Sequence, residues 1–198
     1  MSLYSNSGYL FVHNPKSGGT TTRNALSGPL VRYLLKPHSR AIDIMRWMKD
    51  RGAEGHWHLA YKFAFIRNPY TWVESMRRHC AADKEHALHP FAIERFESWP
   101  YWLSNACYKR IDTPQGAICY QRDMVLGLDG EPILDHLARF ENYADEMKAI
   151  LTTIGLPVPQ ELPNTGLNPV PERVIDGEYR RAIAEYFAQD FELLNYEK

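Results

Sequence analysis

The chain contains 198 residues, of which 44% are apolar, 24% charged and 13% aromatic, and its formal net charge at pH 7 is −1. This length predicts a single domain that can bury a hydrophobic core without the help of disulfides. The nearly balanced charge argues against a protein that coats a polyanion such as a nucleic acid, but it is compatible with a local basic pocket for one small anion.

Hydropathy and cysteine usage predict a cytoplasmic protein. No run of about 18 apolar residues is present, so we expect no transmembrane span and no membrane partner. The apolar stretch at residues 9–13 follows a polar N-terminus and is too short for the core of a signal peptide. Cys80, Cys107 and Cys119 are widely spaced, which is typical of free thiols in a reducing compartment.

Short apolar runs alternate with helical patterns in the first half of the chain. Strands are predicted at residues 9–13, 31–36 and 62–66, and helices at about residues 20–26 and 39–49. The Asn68-Pro69 pair is predicted to end the third of these strands. Strand–loop–helix units of this kind form parallel sheets. The pattern therefore predicts a three-layer α/β/α fold with a central, mostly parallel sheet.

The second half of the chain is predicted to be mostly helical. The predicted elements are helices at residues 71–80, within 91–105, at 142–154 and at 179–194, and a strand that ends at residues 137–139. Prolines cluster between residues 159 and 171. This proline-rich segment is predicted to be a loop and is a candidate lid.

A turn rich in glycine follows the first predicted strand and precedes a helix. Main-chain N–H groups in such a turn, together with the helix dipole, bind a phosphate group. The residues that would contact it are Lys16, Ser17, Gly18, Gly19, Thr20 and Thr21. In a Walker A loop the lysine follows the glycines and a neighbouring Ser or Thr holds Mg²⁺, whereas here Lys16 precedes them. An ordinary turn between a strand and a helix is the alternative interpretation.

A second candidate anion site follows the strand predicted at residues 62–66. Arg67 comes directly after this strand, and Ser75 lies eight residues later on a predicted helix. Ligands bind at the carboxyl ends of strands in open parallel sheets, and a guanidinium group suits phosphate oxygens. The alternative is that Arg67 pairs with a surface carboxylate.

Together the two motifs resemble those of the sulfotransferases that use 3′-phosphoadenosine-5′-phosphosulfate (PAPS). Residues 15–21, Pro-Lys-Ser-Gly-Gly-Thr-Thr, resemble the 5′-phosphosulfate loop of that family, and residues 67–75 resemble its 3′-phosphate motif with the Arg-to-Ser spacing preserved. His13 and the double glycine are most similar to the carbohydrate-type branch. The segment Arg-Phe-Glu-Asn at residues 139–142 is similar to a later segment of the family.

The resemblance implies a P-loop-like fold and an enzyme that needs no metal. The enzyme would move a sulfuryl group from PAPS to a hydroxyl or amine of an unidentified acceptor, such as a carbohydrate or another small molecule, and release 3′-phosphoadenosine 5′-phosphate (PAP). The residues that match the 5′-phosphosulfate loop are Lys16, Ser17, Gly18, Gly19, Thr20 and Thr21. Arg67 and Ser75 match the 3′-phosphate site. No nucleic-acid partner is expected.

Two histidines are candidates for the base that such a transfer needs. His38 follows the strand predicted at residues 31–36 and matches the Lys-x-His element of the family, and an imidazole can accept a proton near neutral pH. His56 matches a Gly-His element of some carbohydrate-type relatives. Lys16 is the candidate that would stabilise the departing phosphate oxygen. The alternative role for His38 is to cap the next helix.

Two other functions are compatible with this sequence. A kinase-like phosphotransferase would bind ATP with Mg²⁺, which the order of residues in the Lys16 loop disfavours. A non-catalytic module would bind nucleotide without turnover. The polar residues 79–89 include three histidines and Cys80, but their spacing matches no standard zinc site.

Overall fold

The computed structural model describes residues 2–5, 8–26, 31–34, 38–113, 116–161 and 170–198, with the backbone alone at residues 2–5, 31–34 and 96. The chain divides into two compact units. The first comprises Met1–Ile66 and Asp123–Gly166, and the second comprises Arg67–Arg122 and Leu167–Lys198. Each unit has a hydrophobic cluster of its own.

Seven strands and ten α-helices are present in the described residues. The strands are β1 (Ser2–Ser5), β2 (Tyr9–Phe11), β3 (Val31–Leu34), β4 (Tyr61–Ile66), β5 (Asp112–Thr113), β6 (Gly116–Ala117) and β7 (His136–Arg139). The helices are α1 (Gly19–Leu26), α2 (Ala41–Lys49), α3 (Glu54–Leu59), α4 (Pro69–Ala82), α5 (His89–Ile93), α6 (Trp99–Lys109), α7 (Gln121–Val125), α8 (Tyr143–Thr153), α9 (Gly177–Tyr186) and α10 (Ala188–Leu193). Short 3₁₀ turns lie at Phe96–Ser98 and Phe140–Asn142. None of the helices in these residues has the length and hydropathy needed to cross a bilayer.

The main sheet of the first unit is mixed. Its strand order is β3-β1-β2-β4-β7. Strands β2, β4 and β7 are parallel neighbours, whereas β1 pairs antiparallel with both β2 and β3. The mixed α/β class is therefore confirmed. The sheet is less parallel than predicted, because β1 forms in residues predicted to be a polar tail and β3 joins the sheet through β1.

The parallel strands form where the sequence is continuously apolar. Tyr9, Leu10 and Phe11 of β2 are at most 1% exposed, as are Phe63 and Phe65 of β4. A strand that is buried on both faces needs such a run, because neither face can carry polar side chains without partners. These strands pack against residues of α1 and α8 in one cluster, which positions the segment between β2 and α1.

The second unit is mostly helical, with the short antiparallel pair β5–β6, and is organised around α4. This helix begins at the Asn68-Pro69 pair predicted to end the preceding strand, and the Asn68 side chain accepts a hydrogen bond from the Tyr70 N–H at 3.0 Å. Trp72 is fully buried and packs edge-on against Phe187. The single helix predicted at residues 179–194 is instead two helices, α9 and α10, separated at Phe187. The helix predicted within residues 91–105 is α6, which begins later and follows α5 and a 3₁₀ turn.

A buried ion pair on α4 holds the chain that follows the proline-rich segment. Glu74 and Arg77 lie 2.7 Å apart with side chains 3% and 4% exposed. The Tyr179 hydroxyl and the Arg173 N–H both donate to Glu74, and Arg77 donates to the carbonyl of Pro171 at 3.0 Å. The second unit thus fixes the C-terminal end of the predicted loop. Its residues 162–169 lie outside the described part of the chain.

Candidate functional site

The segment that joins β2 to α1, residues 12–18, is the predicted phosphate loop. Its start is fixed to β4, because the Val12 N–H donates to the Phe63 carbonyl at 2.9 Å and the Asn14 side-chain amide donates to the Phe65 carbonyl at 3.0 Å. The loop therefore continues directly from two paired parallel strands, and it leads into the N-terminus of α1 at Gly19.

Both glycines of the loop are required by its geometry. Gly18 has φ +77°, and a Cβ atom there would lie 2.8 Å from a ring carbon of Tyr143. A Cβ atom at Gly19 would collide with the imidazole ring of His13. Any larger residue would have to displace these rings or adopt a strained backbone. The glycine pair that the sequence singled out is thus explained by close packing at the start of α1.

Hydroxyl groups around the loop differ in what they offer a ligand. Ser17 is buried, and its hydroxyl accepts from the Asn14 amide at 3.2 Å and lies 3.4 Å from the Pro15 carbonyl. Its hydroxyl therefore stabilises the loop, and its main-chain N–H is the group suited to an anion. Thr20 is exposed in the first turn of α1, and Thr21 is half-buried beside it.

Lys16 supplies the positive charge of the loop. It is half-buried and has a left-handed backbone with φ +58°. The first N–H groups of an α-helix have no acceptor within the helix, and the helix dipole adds partial positive charge there. The lysine and the first turn of α1 together form a donor set suited to a phosphate or sulfate group.

Tyrosines hold α1 at both ends. The Tyr9 hydroxyl donates to the Leu26 carbonyl at the C-terminus of α1, at 3.1 Å. At the N-terminus the Thr22 hydroxyl donates to the Gly18 carbonyl at 3.1 Å and lies 2.9 Å from the Tyr143 hydroxyl. Burial raises the pKa of Tyr143, so the phenol stays protonated and can donate to Thr22. The role of Tyr143 was missed, because nothing in the local sequence indicates a contact so distant along the chain.

His38, the first candidate base, contacts His13 within the first unit. Its Nδ1 atom lies 3.1 Å from the His13 carbonyl oxygen, and the two rings are 4.4 Å apart. A carbonyl can only accept a hydrogen bond, so Nδ1 carries the hydrogen and Nε2 is the proton-accepting nitrogen of the neutral ring. His38 also has a left-handed backbone with φ +57°.

His13 is a neutral side chain at physiological pH. Burial lowers its pKa well below the usual value for histidine, and the nearby His38 and Arg23 lower it further. Its ring stacks on Phe11 and lies against Gly19. A neutral ring can pack at the positive end of α1 without charge repulsion.

His56, the second candidate base, lies on α3. It is exposed, as is His58, whose Nε2 atom lies 4.0 Å from a carboxylate oxygen of Glu54. A main-chain carbonyl fixes the tautomer of His38.

The predicted Arg67–Ser75 motif lies at the start of the second unit. Arg67 donates from Nε to the Thr71 hydroxyl at 2.9 Å. Thr71 and Ser75 are four residues apart on α4, so their side chains lie on one face of the helix. The motif thus forms a line of one guanidinium and two hydroxyl groups. Thr71 was not predicted to belong to the motif. The signal that could have identified it is its position, four residues after Arg67 and four residues before Ser75.

The histidine- and cysteine-rich stretch at the end of α4 is packed into the second unit. His86 accepts the Leu88 N–H at Nδ1, 3.1 Å away, and its Nε2 atom lies 3.7 Å from the buried sulfur of Cys80. Burial lowers the pKa of His86, so the ring is neutral at pH 7. Within the described residues, no group of three or more His, Cys, Asp or Glu side chains could hold a metal ion.

Comparisons with protein-family models, with curated proteins and with solved structures gave no match for this chain. The first unit offers a cationic loop at a helix N-terminus and a histidine with an ordered tautomer, and the second offers a guanidinium group aligned with hydroxyls.

Proposed function

We propose that this protein is a PAPS-dependent sulfotransferase with a P-loop-like, three-layer α/β/α fold. The observation that carries the proposal is the segment from β2 to α1, where close packing requires Gly18 and Gly19 and where Lys16 precedes them. A loop with this order of residues suits an anionic group that arrives without a tethered metal ion.

The donor nucleotide would be held through its two anionic ends. Lys16, the loop N–H groups and the first turn of α1 would bind the 5′-phosphosulfate, with Thr20 and Thr21 at its rim. Arg67 and Ser75 would bind the 3′-phosphate, supported by Thr71. The chemistry of both donor sets fits such a ligand, because each consists of cationic and N–H or O–H donors.

In the proposed mechanism, one residue of the first unit accepts a proton and another stabilises a negative charge. PAPS supplies the sulfuryl group, which passes to the acceptor oxygen while PAP leaves. His38 would accept the acceptor's hydroxyl proton at Nε2, since Nδ1 already donates to the His13 carbonyl. Lys16 would stabilise the negative charge that develops on the phosphate oxygen.

The acceptor class and the compartment belong to the same proposal. A carbohydrate or another small molecule with a hydroxyl or amine is the proposed acceptor, and the cytoplasm is the proposed location. The three cysteines are buried free thiols, which fits a reducing compartment.

Isothermal titration with PAP and with ATP·Mg²⁺ tests the proposed function. We expect tight binding of PAP, weak binding of ATP·Mg²⁺, and loss of PAP binding in Lys16→Met. Turnover is then tested by transfer of labelled sulfate from PAPS to a panel of sugars and phenols. Tight binding of ATP·Mg²⁺ with none of PAP would favour a phosphotransferase, and PAP binding without turnover would favour a non-catalytic module.

A further inference from the structure

Gln121 hydrogen bonds to both main-chain polar groups of Arg67. Its side-chain oxygen accepts the Arg67 N–H at 3.0 Å, and its side-chain amide donates to the Arg67 carbonyl at 2.7 Å. Gln121 is completely buried. A buried amide with good geometry on both sides fixes its partner, because breaking either bond would leave a polar group without water.

The main chain of Gln121 is held in turn by a buried carboxylate. Asp190 of α10 is completely buried and accepts the N–H groups of Gln121 and Arg122, each at 3.2 Å. The Arg122 guanidinium also pairs with Asp190 at 3.2 Å and lies over the Tyr120 ring. Gln121 is therefore attached to the core of the second unit.

These contacts order both the backbone and the side chain of Arg67. Gln121 fixes its backbone, and the Thr71 hydroxyl accepts from Nε of its side chain. A guanidinium that is already oriented loses less conformational freedom when it binds an anion, so the same contact gives tighter binding.

We propose that Gln121 is a positioning residue that prepares Arg67 to bind the 3′-phosphate of the donor nucleotide. This inference rests on the proposed function, since it concerns the same site. Gln121 hydrogen bonds to the main chain of Arg67 and would act through it. It has no counterpart in the sequence motifs, because it lies 54 residues after Arg67.

The test compares Gln121→Met, which keeps the length of the side chain but removes both hydrogen bonds, with wild type. Isothermal titration is done with PAP and with adenosine 5′-phosphate, which lacks the 3′-phosphate. We expect roughly a 10-fold loss of PAP affinity, the scale of two modest hydrogen bonds, and little change for adenosine 5′-phosphate. Arg67→Ala gives the largest loss that this site can produce. Ser104→Ala, which removes another side-chain hydrogen bond of the second unit, should leave both affinities unchanged.

The ratio of the affinity for PAP to the affinity for adenosine 5′-phosphate distinguishes a positioning role of Gln121 from a general effect on stability. A lower melting temperature with an unchanged ratio in Gln121→Met would overturn the proposal. Wild-type protein that binds both nucleotides equally would overturn the proposed function together with this inference. A measurement on wild-type protein tests the proposal even if Gln121→Met does not fold. The main-chain amide of Arg67 should exchange with deuterium as slowly as the core amides of α4. Rapid exchange would overturn the proposal.

Discussion

The Nδ1 atom of His38 lies 3.1 Å from the main-chain oxygen of His13, and the ring of His13 packs against Gly19. The candidate base is thus attached to the first turn of the proposed phosphate-binding helix through one intervening residue. Displacement of the loop is therefore expected to displace His38 as well. The roles of the loop and of His38 can be distinguished only by substitutions that change one of them and leave the other in place.

His38→Ala should reduce turnover of PAPS by about 10²- to 10⁴-fold, the usual contribution of a positioned base. PAP binding should change little, because the side chain is proposed to contact the acceptor. Steady-state kinetics and titration of PAP measure the two effects. The matched control is His56→Ala, because the His56 side chain is exposed on α3. Normal turnover in His38→Ala with a large loss in His56→Ala would transfer the role to His56.

Gly19→Ala should destabilise the first unit and abolish binding of PAP. The added methyl group would collide with the His13 ring, and overpacking of this kind costs about 1–3 kcal/mol. Chemical denaturation and titration measure both effects. Gly55→Ala is the control, because nothing lies within 4 Å of the added atom. That helical substitution should stabilise by about 0.5–1 kcal/mol. Equal stability of the two variants would contradict the packing described at Gly19.

Glu74→Gln should strongly destabilise the second unit. Burial lowers the pKa of Arg77, but the hydrogen bond and charge of Glu74 outweigh it, so the net pKa is raised. Removal of the Glu74 charge would leave a buried cation without compensation, at a cost of about 3–5 kcal/mol. The free energy of unfolding in urea is the measurement.

The control for this variant is Glu178→Gln. Glu178 and Arg181 are also three residues apart on a helix, but their side chains are 95% and 78% exposed, and their charged atoms are 3.7 Å apart. Exposed pairs of this kind contribute little to stability, so no measurable change is expected. A similar loss of stability in both variants would show that burial does not account for the contribution of the Glu74–Arg77 pair to the free energy of unfolding.

Asp190 should give the wild-type protein a distinctive dependence of stability on pH. Burial raises its pKa to about 6, although Arg122 opposes this effect. Since the folded pKa lies above the unfolded value of 3.8, the folded state binds the proton more tightly. The contribution of Asp190 is therefore most favourable below about pH 4, and up to about 3 kcal/mol is lost as the pH rises to about 6.

Asp190→Asn removes this titration, because an amide does not ionise in this range. Free energies of unfolding are measured for both proteins at pH 4, 5 and 6.5. The difference, wild type minus variant, should fall as the pH rises. A difference that stays constant, or that rises with pH, would contradict a raised pKa.

The sequence predicted the parts of the fold that depend on local patterns. The apolar runs of β2 and β4, the Asn68-Pro69 break and the glycine-rich turn were each found near their predicted positions. Strand β1 was missed because its four residues, Ser-Leu-Tyr-Ser, contain only two adjacent apolar side chains, without an alternating pattern, and follow no turn signal. The break at Phe187 was missed because apolar residues continue through it with helical spacing.

The buried polar residues that organise the second unit could not be predicted from sequence patterns. Gln121, Glu74 and Asp190 are polar and yet buried, whereas such residues are usually exposed. Their burial is stable only because partners far along the chain satisfy them, as Arg67 does for Gln121. The spacing of residues within a motif can predict which residues bind a ligand. The groups that orient those residues are brought to them by tertiary packing, which the spacing within a motif does not show.

Lys16 and His38 share the left-handed backbone noted above, with φ near +58°, which for a residue with a side chain costs about 1–2 kcal/mol relative to ordinary geometry. Glycine would relieve that cost at either position. Selection of this chain for heat resistance alone should therefore enrich glycine at residues 16 and 38, where it would discard the ammonium and imidazole groups. Thermal tolerance and the proposed sulfuryl transfer would then favour different residues at the same two positions.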